Sequence, residues 1–514
     1  MRTTYTTDPV AGCPWAGDNS DPQAQRLLER VVESGNMKRA WQQVKQNGGS
    51  AGVDGRSIVT TMVYLREAWP RIRQALLDET YVPYPVRRVE IPKPNGGTRK
   101  LGVPTVVDRL IQPREVAFRF HAVTRQAICQ VLVPIFDPHF STFSYGFRPH
   151  RSAHDAVRQA RQYQQDGKQW VVDMDLKQFF DEVDHAILMA RVGRRITDKR
   201  LKRLINAFLK AGVVLPDGTR VPTDKGTPQG GPLSPLLSNI LLDDLDKELE
   251  RRQLSFCRYA DDCNIYVASK RAGERVMRSV TEFVEKRLKL KVNRAKSAVA
   301  RPWTRKFLGF TTQKVFGQIR TAVPDVSIQR FTGKLKALFH VARGRNVARF
   351  IRETLTPTVR GWFQYFVLGA SRRQLQTLDY WIRRHLRCII WRQWKRPSTR
   401  LRKLRALGIS QDDVYVAYNR RGPWRNAALP QLTHALSPDY FRNLGLFGLV
   451  DGLHALRTTS TTEPPCYGFC RPAEWCESQG RATSPATRFS KKEELNMCTG
   501  RSASRRASNH AVRD

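Results

Sequence analysis

The 514-residue chain reads as an α+β protein with an antiparallel sheet at its centre, on three observations. Around RYADDCNIYV, the strand-like runs SFCRY and CNIYVAS lie on both sides of Ala260-Asp261-Asp262, the pattern of a tight hairpin. WVVDMDLKQFF (170–180) is an apolar run carrying Asp173 and Asp175 and reads as a buried strand. Elsewhere, apolar residues recur at three- and four-residue spacing, as in amphipathic helices.

The acids on these strands are the first candidates for chemistry. Taken alone, Asp261-Asp262 at a bend reads as a solvated turn. If the strand of Asp175 lies beside the hairpin, three carboxylates converge. Each like-charge pair at about 4 Å then costs on the order of 4 kcal/mol at an effective dielectric of 20. Hard Mg²⁺ relieves that repulsion, because it prefers carboxylate oxygens together with substrate phosphates. The layout is that of two-metal phosphoryl transfer.

The charge balance points the same way. Against 46 Asp+Glu stand 88 Lys+Arg, a net +42, and a field of that sign attracts polyanions, nucleic acid first. No apolar core follows the single arginine of the amino-terminal stretch, and no run approaches a membrane span. The nine cysteines form no paired C-x-x-C set, so neither a disulfide framework nor a zinc ribbon is expected. These features predict a reduced, cytoplasmic protein of a prokaryotic-type cytosol, with nucleoid association as one option and no membrane association.

In chain order, residues 1–20 form a polar lead-in, and 21–46 are helical in pattern up to the punctuation NGGSAGVDG (47–55). A second helix runs to about Leu77. Residues 84–105 read as a hairpin with Pro94-Asn95-Gly96-Gly97 at its tip and Lys93 and Arg99 on opposite arms. Such a tip can close over a triphosphate, and it reads equally as a solvated basic turn. SYGFRPHRSAHDAV (144–157) passes from turn to helix, with Ser152 as cap and Asp155 in the first turn. TDKGTPQGGPLSPLLSNILLDDLDKEL (223–249) is a Gly/Pro-rich turn, carrying Gln229, that opens a long apolar helix; a plain loop-to-helix junction fits it as well. Residues 280–299 are a helix leading to a short strand, with Lys296 near its end, and KFLGF (306–310) reads as a short β element.

From 301 to 410 there are 25 Lys+Arg and three Asp+Glu, so just over half of the net charge sits in about a fifth of the chain. Within it, 381–405 carries ten basic residues, no acid, and Trp381, Trp391 and Trp394. A helix with one apolar face and a basic remainder, with nothing to relieve its repulsion, is best explained by binding to phosphate backbone. Arg383, Arg384, Arg387, Arg392, Lys395 and Arg396 are its candidate RNA contacts. After 457 the composition turns to Ser, Thr, Pro and charge, which predicts a disordered tail.

Residues 35–310 resemble the reverse-transcriptase domain of group II intron-encoded proteins. The resemblance rests on NGGSAGVDG, IPKPNGGTRKLGVPTVVDRLIQ, PIFDPHFSTFSYGFRPHRSAHDAV, VVDMDLKQFFDEVDH, GTPQGGPLSPLLSNILLDDLDKEL, RYADDCNIYV and KFLGF, in that family's order. GWFQYF, WIRRHLRCIIWRQWKRP and GPWRNA further resemble its maturase region. The resemblance implies a right-hand polymerase of fingers, palm and thumb, with an antiparallel palm sheet followed by a helical maturase region. Its expected divisions are 1–34 (lead-in and helix), 35–165 (extension and fingers), 166–310 (palm), 311–405 (thumb and maturase), 406–457 (DNA-binding-like) and 458–514 (tail).

The same resemblance implies Asp175, Asp261 and Asp262 as catalytic Mg²⁺ ligands for two ions, with Mn²⁺ as substitute. Lys93 and Arg99 resemble the residues that hold the incoming triphosphate, and Gln229 one that lines the nucleotide pocket. Lys296 resembles the acid that protonates pyrophosphate. Phe180, or its neighbour Phe179, resembles the aromatic gate that excludes a 2′-hydroxyl. The implied partners are intron RNA, an RNA template with DNA primer, deoxynucleoside triphosphates and target DNA; no membrane partner is expected.

Two departures stand out. PREVAFRFHAVTR (113–125) is inserted where relatives run straight on, and Pro113 stops a helix at its point of entry. That feature sets against the polymerase an alternative, an RNA-binding splicing maturase with impaired or no polymerisation. The tail also lacks the Cys-pair and His-Asn-His pattern of an endonuclease, so no second-strand DNA cleavage is expected.

Overall fold

A computed structural model of the chain describes residues 26–92, 98–111, 127–227, 231 and 233–459. The lead-in, the 93–97 hairpin tip, the 113–125 insertion and the tail from 460 therefore lie outside the described residues. The helical pattern expected over 21–46 divides into two helices, Leu27–Val31 and Ser34–Asn47, and the next helix, Ile58–Leu77, ends where expected.

Strands β1 (Val86–Pro92) and β2 (Thr98–Val103) form the anticipated basic hairpin, in antiparallel register with Ile91 opposite Arg99. The palm strand β3 (Trp170–Met174) follows the helix Ala153–Gln165, whose Ser152 and Asp155 form a reciprocal capping box. Short strands β4 (Val213–Val214) and β5 (Arg220–Val221) extend the β1–β2 sheet, β4 lying parallel to β1. Strands β6 (Ser255–Tyr259) and β7 (Asp262–Val267) are the two arms of the YADD hairpin.

Strand β8 (Ala298–Ala300) then completes a four-stranded antiparallel sheet of order β6-β7-β3-β8. Its central strands are covered on both faces. Val171, Val172 and Met174 of β3 are at most 1% exposed, and β7 is buried from Cys263 to Val267. That is why both read as continuous apolar runs rather than alternating ones.

KFLGF is β only as a single antiparallel bridge, Phe307 with Phe310, closed by a turn rather than drawn out as a strand. Leu308 and Gly309 both have positive φ (51° and 80°), which reverses the chain in two residues and leaves Phe307 and Phe310 bonded to each other. The strands begin one residue later, as the hairpin β9 (Thr311–Val315) and β10 (Gln318–Ala322). The turn is held by GWFQYF: the Tyr365 hydroxyl donates to the Leu308 carbonyl at 2.8 Å, and Phe310 packs on Tyr365 and Phe366.

Two main hydrophobic cores organise the rest. One gathers residues from Leu27 to Val292, the other from Phe331 to Leu453. The expected divisions at 34/35 and 405/406 are therefore not core boundaries. Leu27, Leu28 and Val31 belong to the first core, and Ile409, Val414, Phe441 and Leu449 to the second. Asp379, on the long basic helix Arg372–Gln393, accepts hydrogen bonds from the Leu449 and Val450 amides and so ties the 406–457 segment to that helix.

Among the described residues no helix is long and apolar enough to cross a membrane. The four described cysteines, Cys129, Cys257, Cys263 and Cys388, are buried and unpaired.

Candidate polymerase site

The YADD turn is a two-residue reversal. Tyr259 pairs with Asp262, and Ala260 takes a positive φ of 57°, the conformation a tight hairpin demands. The glycine of SYGFRP stands directly behind it. A Cβ built on Gly146 would fall 2.3 Å from the Ala260 amide nitrogen, so only glycine lets the two backbones approach this closely.

The β3–β7 register decides where Asp175 lies. Asp173 pairs with Asn264 and Met174 with Cys263, so the next residue, Asp175, stands across from Asp262. The three sequence-predicted acids are thus neighbours at one end of the sheet. Asp173 shares the face of Asp175 but is neutralised by Arg305 at 2.6 Å.

The crowding raises a pKa. The Asp262 carboxyl is pushed up to about 7, by enclosure first and then by Asp261, Asp175 and Asp173, against the pull of Lys296. Asp262 is the solvent-facing first residue of the inner strand β7, so the repulsion among acids is the part of that shift a cation would relieve.

A short segment that sequence reasoning largely missed wraps around Asp175. The Asn293 side-chain amide donates to Asp175 Oδ2 at 2.8 Å, and the Asn293 backbone amide to the Asp175 carbonyl at 2.8 Å. The Asp175 amide donates to Ser297 Oγ at 3.0 Å, and Lys296 Nζ lies 3.6 Å from Asp175 Oδ2. Lys296 was legible from its motif; Asn293 and Ser297 had no signal beyond their place beside it.

The alternatives at the aromatic position separate by burial. Phe179 is 3% exposed within the first core, whereas Phe180 is only half-buried. The Phe180 carbonyl accepts a hydrogen bond from the Thr227 amide, and Gly226, with φ 88°, lies too close to the Phe180 and Asp181 carbonyls to carry a Cβ. The GTPQGG loop therefore starts against Phe180. Gln229 and Lys93 lie outside the described residues, and Arg99 is placed through its backbone in β2.

In the helical half, the six basic candidates divide. Arg392, Lys395 and Arg396 are exposed, and Arg383 is half-buried. Arg384 lies 4.2 Å above the Trp424 ring. Arg387 corrects the expectation: it is 1% exposed and donates to the Leu436 carbonyl, and burial lowers its pKa to about 10. A side chain shut inside the core cannot reach a phosphate; it looked like its neighbours only because the helix is basic on several faces.

Residues 91–312 match the reverse transcriptase (RNA-dependent DNA polymerase) family, and residues 328–408 match the group II intron, maturase-specific domain. The chain is also 31% identical over 377 residues to protein YkfC of Escherichia coli strain K12, covering 64% of this chain and 95% of that protein. The chain belongs to the group II intron reverse transcriptase–maturase family.

Within the family, it is 37% identical over 242 residues to the group II intron-encoded protein LtrA of Lactococcus lactis subsp. cremoris, 47% of this chain and 38% of LtrA. It is likewise 37% identical over 168 residues to the putative COX1/OXI3 intron 2 protein of Saccharomyces cerevisiae, 33% of this chain and 18% of that one. The chain thus spans less than half the length of either of these two relatives. The reverse-transcriptase match covers the acids and the maturase match the basic helix, so each match overlaps one of the two hydrophobic cores without spanning it.

Proposed function

We propose that this chain is an RNA-directed DNA polymerase that also binds its group II intron RNA and assists splicing and intron mobility. The observation that carries the reading is the convergence of Asp175, Asp261 and Asp262, with the Asp262 carboxyl raised to about 7 by enclosure and by its acidic neighbours. The donor set fits a hard divalent cation, since every candidate ligand is a carboxylate oxygen. As the side chains lie, no three His, Cys, Asp or Glu among the described residues form a ligating group; Asp175 Oδ2 is engaged by Asn293 and Lys296 instead.

Asp175, Asp261 and Asp262 would hold Mg²⁺, with Mn²⁺ as a substitute. Bound there, two ions supply the chemistry of lowering the pKa of a primer 3′-hydroxyl and offsetting charge on the triphosphate.

The chain's own residues then do the positioning. Phe180, half-buried against the loop that carries Gln229, would underlie the sugar and exclude a 2′-hydroxyl, selecting deoxynucleotides. Lys93 and Arg99 would close over the triphosphate from the β1–β2 hairpin. Lys296, beside Asp175, would give a proton to the leaving pyrophosphate. The template is copied by base pairing, so the protein grips backbone rather than bases. Target DNA is a further expected ligand.

RNA-templated primer extension with deoxynucleotides tests the reading directly. Product is expected with Mg²⁺ and none after chelation; splicing activity without extension at any metal concentration would support the maturase alternative instead.

The acid cluster also sets a pH dependence. A carboxyl raised in the folded chain favours folding at low pH, and that contribution is lost as pH rises from about 4 through about 7. Cations bind the deprotonated form, so Mn²⁺ affinity at pH 6 should be about tenfold weaker than at pH 8. Calorimetric titration at the two pH values checks this, and equal affinities would contradict it.

The basic helix makes a separate prediction. Removing Arg392, Lys395 and Arg396 together should weaken RNA binding and flatten its salt slope by roughly two, at about 0.7 per single-strand phosphate contact. Arg387→Ala should leave that slope unchanged and lower the melting temperature, because its role is internal.

A further inference from the structure

We propose that Arg258, within β6, is the positioning residue of the polymerase site, fixing the backbone from which Asp261 projects; this rests on the polymerase reading above. Arg258 is 0% exposed, and all five of its guanidinium N–H donors find acceptors. Nε and Nη2 grip the two oxygens of Asp246 at 2.7 and 2.6 Å, and Asp246 is itself 0% exposed. Nη2 also donates to Ser144 Oγ at 2.8 Å. Nη1 donates to Asn239 Oδ1 at 3.0 Å and to the Ala260 carbonyl at 2.9 Å. Asn239 in turn donates to the Gly146 carbonyl at 2.8 Å, and Gly146 is the residue lying against the Ala260 amide.

One side chain thus joins three segments distant in sequence: the SYGFRP turn, the helix Ser234–Arg251 that follows the GTPQGG loop, and the YADD turn. Stability alone does not account for it. Buried ion pairs can often be replaced by apolar residues of similar volume at no loss of stability. What an apolar residue cannot do is donate to the Ala260 carbonyl. That carbonyl belongs to a non-glycine residue held at φ 57°, immediately before Asp261. A turn without glycine at that position needs holding from outside, and Arg258 supplies it. The guanidinium acts through the main chain, so its effect is on where the carboxylate stands.

The decisive variant is the apolar pair Arg258→Met with Asp246→Leu in the full chain. It is expected to fold, melting below the wild type because the buried Ser144, Asn239 and Ala260 acceptors lose a donor, and to bind RNA template–primer with unchanged Kd. Its single-nucleotide incorporation rate should fall about 100-fold, the scale of a 1 Å misplacement. Half-saturating Mg²⁺ should rise about tenfold or more, while the KM for deoxynucleotide changes little. Amide hydrogen exchange at residues 259–263, measured without metal or substrate, should become faster in this variant.

Arg258→Lys should not rescue, because one ammonium cannot serve Asp246, Asn239 and the turn together. If the double variant fails to fold, Asn239→Ala decides, since it keeps the Arg258–Asp246 pair. Faster exchange in the turn and a higher Mg²⁺ requirement are expected there in a chain that still folds, with a lowered melting temperature from the lost Gly146 and Arg258 hydrogen bonds. Wild-type rate, Mg²⁺ dependence and turn exchange in a folded variant would overturn the proposal. Failure of the wild type to extend a primer would overturn the polymerase reading alone, and the exchange measurement would still judge Arg258.

Discussion

Asp261→Ala is expected to lower nucleotide addition by at least about 10³-fold, while RNA binding stays at the wild-type level. The size follows from what the side chain would do: a lost metal ligand removes stabilisation of the developing charge, the dominant contribution when catalysis is positioning plus electrostatics. RNA binding should survive because the exposed basic side chains Arg392, Lys395 and Arg396 belong to the second core's helical region, apart from the acids. A second consequence runs against intuition. Removing one member of a repelling cluster should raise the melting temperature in EDTA at pH 8, since Asp261 contributes to the elevated Asp262 pKa. Sites built from like charges commonly trade stability for activity in this way. A variant that melts lower in EDTA, or still extends primers at a tenth of the wild-type rate, would contradict this account.

Gly146→Ala should also be damaging, although it removes no functional group. The added methyl would lie 2.3 Å from the Ala260 nitrogen and 3.0 Å from the Tyr259 carbonyl carbon, both main-chain atoms that cannot swing aside. The hairpin must shift, and a displacement of that order at a reacting centre costs about 10²-fold in rate. Gly333→Ala is the matched control. Gly333 lies within the helix Asp325–Val341 with nothing inside 4 Å of its Cβ position, so alanine there should be silent in activity and stabilise by about 0.5–1 kcal/mol. Primer-extension rates and melting curves of the two variants, compared side by side, check both halves.

The sequence made the acids legible because their surroundings carry a strong pattern. Strand-forming residues flank Asp261-Asp262 on both sides, and Asp175 ends an apolar run, so sheet neighbours could be anticipated. Arg258 had no such signal. An arginine in a strand of a chain with 88 basic residues reads as one more surface charge, and its five acceptors lie on segments scattered from Ser144 to Ala260. Arg387 was misread for the complementary reason. Helical periodicity identified a basic helix, but the helix is covered by the 406–457 segment on a side that composition does not reveal. KFLGF was legible as β but not as a turn: Phe307 and Phe310 bridge each other, while the positive φ of Leu308 and Gly309 makes the segment the reversal before a strand.

The palm sheet is assembled out of chain order. Its inner strand β3 ends at Met174, yet its two neighbours are β7, closing at Val267, and β8, closing at Ala300. At roughly 5–20 residues per second of translation, the ribosome needs about 6–25 s after making β3 before β8 exists. Over that interval a Val-rich strand waits with an unpaired edge, a standing invitation to pair with another nascent chain. Production of this protein should therefore be limited by how well its middle third is shielded during synthesis, more than by the stability of the finished fold.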